Sequence, residues 1–297
     1  MSRFATIAAV LALLATSERE ARAFCRSTAC DPTTETCTKD DNGCPRTGPP
    51  LSWRTLPLPY RFHAPGSDKL DMDAVREATR RAFDTWETVR CKGKRTSLRF
   101  EEGEDIPGKH PLTTEGPAKV PFGIYFRDDA WPYDDGDESL ALTNQKYGKT
   151  NGWIDYSAIE VNTTDREYRV GDDGSGIDFQ AVLTHEIGHY IGLAHSGVEG
   201  SIMAPSYCQS AERCGAGTSV EDARALAQDD IDAVCALYPP SGIAGVAYEE
   251  PSSSSCALSA GPERSPAAPL ATITALAIFA AVRKRDRRSG KKSTGAV

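Results

Sequence analysis

The chain has 297 residues, 39% of them apolar and 26% charged, which excludes both a disordered polyampholyte and a polytopic membrane protein. Its formal charge is −8, so it lacks the net basic character with which general nucleic-acid binders neutralise phosphates. Seven of its 34 basic residues lie between Arg283 and Lys292, and the rest of the chain is more acidic still.

Arg3 is followed by an apolar run from Ala5 to Ala15 and then by Ala21-Arg22-Ala23. A charged start, a short apolar core and an A-x-A site predict a secretory leader over residues 1–23, with Phe24 as the new N-terminus. The run is too short to span a bilayer, and an uncleaved anchor is the competing reading. Export makes disulfides the expected state of the nine cysteines. Cys25, Cys30, Cys37 and Cys44 crowd residues 24–50, where few apolar side chains are available to build a core. Two local disulfides are expected there. The alternative, a four-cysteine zinc knuckle, lacks a C-x-x-C pair.

Residues 52–240 read as one globular unit without internal repeats. Leu58 to Phe62 alternates as a strand. Asp71 to Arg90 carries Val75, Ala78, Ala82, Phe83, Trp86 and Val89 at helical spacing. Further strands are predicted at Leu98–Phe100, Phe122–Phe126, Ser139–Thr143 and Ala158–Asn162. Asp178 is placed to cap a second helix from Phe179 to Ile191. Thr218 and Glu221 form a capping box for a third helix running to about Leu237, ahead of Pro239-Pro240. The order suggests an α+β fold, a twisted and mostly parallel sheet with helices packed on it.

The second helix carries the chemistry: His185-Glu186-Ile187-Gly188-His189-Tyr190-Ile191-Gly192-Leu193-Ala194-His195. His185 and His189 stand at i and i+4, one turn apart on one face. Two imidazoles so placed can hold one zinc ion. Glu186 can reach a water on that ion without binding the ion itself. Gly192 lets the helix stop and the chain swing back, which delivers His195 as a third ligand. Three neutral imidazoles leave a fourth position open, the arrangement of a catalytic site. The competing reading is an amphipathic helix with surface histidines.

Two acidic stretches, Asp134 to Glu138 and Asp172-Asp173-Gly174, could bind calcium through carboxylate oxygens, but neither fits an EF-hand loop, and solvated acidic turns are the alternative. Asn162-Thr163-Thr164 matches a glycosylation acceptor. Cys208 with Cys214 offers a local bridge and Cys91 with Cys235 a long one, among the 105 connectivities open to eight cysteines. Cys256 is left over.

Residues 241–265 form a linker that becomes rich in Ser, Pro and Ala. An apolar run from Pro266 to Val282 follows, then the basic cluster, so that 266–297 reads as a marginal single span with a cytoplasmic tail. The Ser/Cys-rich lead, short helix and basic end resemble the C-terminal sorting tails of myxobacterial exported proteins. That resemblance implies processing or anchoring at Cys256; a plain anchor is the alternative.

Ser201 to Tyr207 places Met203 eight residues after His195. With H-E-x-x-H-x-x-G-x-x-H before it, this resembles the methionine turn of the metzincins. His195-Ser196, the interval to Met203, Pro205-x-Tyr207 and the stretch from Leu226 to Tyr238 are similar to the matrixins, the matrix-metalloprotease-like branch. The resemblance spans about residues 57–240. It implies a metzincin fold with an antiparallel edge strand, zinc on His185, His189 and His195, and Glu186 as general base. It implies that Met203 lies beneath the metal. Pro205, Ser206 and Tyr207 would line the pocket after the cut. Leu140, Ala141 and Leu142 would form the edge strand that takes up the substrate backbone. Asp229 and Asp230 resemble the family's paired acids, which hold the third helix to the floor of the site. His63 and His110 do not match the family's second-zinc loop, so one ion is expected. The reading is a monomeric, secreted or surface-held zinc endopeptidase acting on proteins or peptides, with no nucleic acid and with membrane contact only through the tail. An exported zinc-binding module without catalysis is the other class considered, and the intact Glu186 favours the enzyme.

Overall fold

Two disulfides, Cys25–Cys44 and Cys30–Cys37, staple the N-terminal segment, as its four cysteines predict. The computed structural model describes residues 24–108, 123–133, 139–173, 175–206 and 222–246. These belong to one compact unit, Met1–Glu250. The expected leader, the linker beyond residue 246, the apolar run, basic tail and Cys256 lie outside the described residues, as do Cys208, Cys214, His110, Thr218, Glu221 and the acidic stretch 134–138. Among the described residues no helix is long and apolar enough to cross a membrane.

The segment does not stand apart from the rest. Its short strand β1 (Cys25–Arg26) pairs antiparallel with Leu193–Ala194, and Cys25 and Ala29 are buried. Strand β2 (Leu58–Tyr60) follows. Helix α1 (Met72–Glu87) forms where the helical period gathers Val75, Ala78, Ala82, Phe83 and Trp86 on one buried face. The Asp71 carboxylate caps it by accepting the Asp73 and Ala74 amides. The helix stops at Thr88, short of the expected Arg90. Arg90–Cys91 (β3) turns back on Lys94–Arg95 (β4), with Lys92 and Gly93 at φ 51° and 85°, as a two-residue hairpin turn requires.

The next strand, β5 (Phe100–Glu102), sits two residues later than its predicted start and pairs in parallel with β2. β6 (Gly123–Arg127), β7 (Ala141–Tyr147) and β8 (Ile154–Asn162) form a sheet in the order β6-β8-β7. β6 runs parallel to β8 and β7 antiparallel to it, so β7 is an antiparallel edge. A parallel bridge between Phe62 and Ile124 links the two groups of strands. Both β7 and β8 are longer than alternation alone suggested. Asn162 is buried and its side-chain amide donates to the Ser139 carbonyl at 2.9 Å, which withdraws it from glycosylation in the folded chain.

Tyr168–Arg169 (β9) pairs with Ile177–Asp178 (β10), and α2 (Phe179–Tyr190) starts at the Asp178 cap, as the sequence predicts. Leu193–Ala194 is β11. α3 (Gln228–Leu237) starts later than expected. Ahead of it Asp222–Arg224 forms a 3₁₀ turn and Ala227 is extended. The Asp230 carboxylate reaches back 2.8 Å to accept the Ala227 amide. Trp86, Phe179, Leu183, Ile187, Tyr190 and Val234 share one core, in which α2 packs on α1.

Cys91 and Cys235 are bonded across a separation of 144 residues. In the chain-entropy account such a loop stabilises by about 4–5 kcal/mol. A Cys91→Ser/Cys235→Ser protein is expected to lose most of that in urea titration. An unchanged unfolding midpoint would show that native packing, not the bond, holds the C-terminal helix.

Candidate metal centre

Helix α2 is fixed by two indoles, one at its middle and one at its C-terminal end. Trp86 Nε1–H donates to the Thr184 carbonyl at 2.8 Å, and Trp53 Nε1–H to the Tyr190 carbonyl at 2.8 Å. Gly188 lies where the helix meets the methionine loop. A Cβ there would stand 2.1 Å from Met203 Sδ and 3.1 Å from Trp86 Cζ2, so only glycine allows this approach. Gly192 ends the helix at φ +101° beside the Leu51 carbonyl, and the chain reverses into β11.

That reversal brings His195 to the two helical histidines. Ring centroids lie 4.8 Å apart for His185 and His189, 5.2 Å for His185 and His195, and 4.8 Å for His189 and His195. One nitrogen from each ring falls within 4.8 Å of the others, and no other such group of three His, Cys, Asp or Glu occurs among the described residues. His185 Nδ1 lies 2.7 Å from the Ile202 carbonyl and His189 Nδ1 2.9 Å from the Leu193 carbonyl. A carbonyl can only accept, so Nδ1 carries the proton in both rings and Nε2 keeps its lone pair. Burial pushes His185 and His195 down to about 4 and lowers His189 as well; the neighbouring imidazoles add to each shift. Three neutral imidazoles, two of them oriented with the Nε2 lone pair free, are a donor set that zinc takes.

Glu186 is only 6% exposed, and burial raises its pKa, partly offset by His189 and by a hydrogen bond from Thr143. Met203 is 2% exposed and sits under the helix, and its carbonyl accepts the Ser196 amide at 2.8 Å. The loop that carries it is held from below by Asp230. That carboxylate accepts Ser201 Oγ–H at 2.6 Å and the Ile202 amide at 2.9 Å, besides capping α3. Asp229 accepts Ser196 Oγ–H at 2.7 Å. The paired acids thus have structural partners. Asp230→Ala would orphan several buried donors at about 1–3 kcal/mol each, so a loss of about 3 kcal/mol in urea unfolding is expected, together with weaker zinc retention. Wild-type stability would mean that the loop holds itself.

The pocket residues are only partly placed. Ala141 and Leu142 lie on the edge strand β7, with Leu140 immediately before it. Pro205 and Ser206 are exposed beyond the methionine loop, and Tyr207 lies outside the described residues. At the second acidic turn Asp172 is engaged by Arg224 at 2.5 Å, so a cation there would compete with a guanidinium. The sequence reading missed Thr143 and Gln145, which join β7 to α2; strand alternation groups the two on one face but does not say which face meets a helix. It also missed Arg169 and Arg224, which pair with the buried Asp178 cap.

A sequence profile described as Matrixin matches residues 52–239. The chain is 30% identical over 188 residues to Matrix metalloproteinase-C of Caenorhabditis elegans, covering 63% of this chain and 29% of that protein. It is 30% identical over 175 residues to Metalloendoproteinase 1-MMP of Arabidopsis thaliana, covering 58% and 40%. Against Stromelysin-1 of Rattus norvegicus it is 29% identical over 189 residues, covering 63% and 33%. In each case the aligned part spans less than half the length of the relative.

Proposed function

The chain belongs to the matrixin family, and from that membership we propose that it is an exported zinc endopeptidase which hydrolyses peptide bonds in proteins or peptides. The observation that supports this best is the convergence of His185, His189 and His195 beside the buried Glu186, within the stretch that matches the family. His185 and His189 would hold the ion through their Nε2 atoms, with a ring nitrogen of His195 as the third donor. Zinc, when bound, supplies Lewis acidity, lowering the pKa of water toward about 7 and polarising a carbonyl.

The protein's own groups do the rest. The edge of β7 from Ala141 onward, which pairs with no strand among the described residues, takes the substrate as an added strand, which satisfies backbone amides without reading much sequence. Pro205, Ser206 and Tyr207 border the pocket for the residue after the cut. Glu186 accepts a proton from the attacking water at its carboxylate and gives it to the leaving amine nitrogen. Burial of the carboxylate suits this exchange, because it raises the affinity for the proton. Met203, buried against Gly188, shapes the floor of the site.

The disulfides fit an oxidising compartment. A leader cut before Phe24 and a C-terminal tail processed at Cys256 complete the proposal for export and retention. The test is metal analysis and a casein or gelatin assay on the purified protein. One zinc per chain is expected, with activity lost to a strong chelator and restored by added zinc. Full zinc occupancy without hydrolysis of any peptide would instead support a zinc-binding module.

A further inference from the structure

Residues on β7 alternate between two faces. Asn144 turns away from α2, toward Tyr133 and Glu160. Thr143 and Gln145 turn toward it. Gln145 Nε2–H donates to the Tyr190 carbonyl at 3.2 Å. Thr143 Oγ1 lies 3.0 Å from the Glu186 carbonyl and 2.5 Å from Glu186 Oε2. The spacing has a simple origin. Two residues of strand advance about 6.6 Å and four residues of helix about 6 Å, so Thr143 and Gln145 meet successive turns of α2.

The two contacts differ in kind. Gln145 reaches only backbone. Thr143 reaches the side chain on which the proposed reaction depends. A glutamate has three rotatable side-chain bonds, and a buried carboxylate without a donor is costly. The hydroxyl of Thr143 supplies that donor from a neighbouring element and engages Oε2, which leaves Oε1 for the water. Its β-branched side chain has few rotamers, so the donor itself is held in place.

We propose that Thr143 is a positioning residue for Glu186: its hydroxyl fixes the carboxylate in the one orientation that serves proton transfer. The proposal rests on Glu186 being the base. It assigns the edge strand a second task, since the element that would seat the substrate also aims the group that would act on it.

The test compares Thr143→Val, Thr143→Ser and Gln145→Met in the full chain, with Glu186→Ala as reference. Valine keeps the shape and removes the hydroxyl. It is expected to lower kcat about 10- to 100-fold, the worth of one charge-assisted hydrogen bond, with KM and zinc content nearly unchanged. Serine restores the donor and is expected to recover kcat to within a few-fold of wild type. Gln145→Met should lower kcat much less than Thr143→Val. A crystal structure of metal-free Thr143→Val is expected to show Glu186 in more than one rotamer, against one in the wild type. Wild-type kcat from Thr143→Val beside an inactive Glu186→Ala would overturn the assignment. An equal loss from Gln145→Met would do so too, because it would reduce Thr143 to a strap between strand and helix. Wild-type rates from Glu186→Ala would remove the premise, and the proposal with it.

Discussion

Glu186→Ala is expected to slow peptide hydrolysis by a factor on the order of 10² to 10⁴, the usual worth of a positioned proton-transfer group. Zinc binding and the fold should be nearly unchanged. The side chain lies beside the imidazoles without being one of the three donors, and its truncation removes a buried carboxylate rather than stranding one. Glu186→Gln should be as slow, because an amide keeps the shape but cannot accept the proton. Kinetics on zinc-loaded protein at matched occupancy check this. Casein hydrolysis by Glu186→Ala at the wild-type rate would remove Glu186 from the role of base.

His189→Ala is expected to abolish stable zinc binding, and activity with it. Its ring lies 4.8 Å by centroid from each of the other two, so its loss leaves His185 and His195 as an incomplete pair. A catalytic zinc site normally draws on three protein ligands. The loss should exceed that from Asp230→Ala, which acts on the loop and not on a donor. Metal analysis after dialysis measures it. A full equivalent of zinc retained by His189→Ala would place the ion elsewhere.

The centre was legible because its parts are neighbours in sequence. Helical geometry alone sets His185 over His189, and one glycine with φ > 0 returns His195. The long cysteine bridge was one of many pairings open to eight cysteines, and the structure makes it because the helix before Cys91 and the helix that holds Cys235 share a core. The hydrogen bond from Thr143 was not legible, since it joins positions 43 residues apart and depends on which face of β7 meets α2. Nor was the docking of residues 24–50. Composition shows only that the segment lacks a core. It does not show that Cys25–Arg26 would borrow β11, the strand that leads into His195. The late start of α3 has a local cause. Asp230 at the third helical position satisfies the Ala227 amide, a back-bond that competes with any start further upstream.

The Cys91–Cys235 bond has a consequence for a protein proposed to cut other proteins. The three histidines, Glu186, Met203 and Asp230 all lie inside the loop it closes. Hydrolysis of one peptide bond in an exposed turn between residues 92 and 234 would open the backbone without dividing the molecule. The two pieces would stay joined, with α1 on one and the end of α3 on the other, and would part on a gel only after reduction. Self-digestion at such a turn would thus produce a two-chain form that still holds its three histidines together.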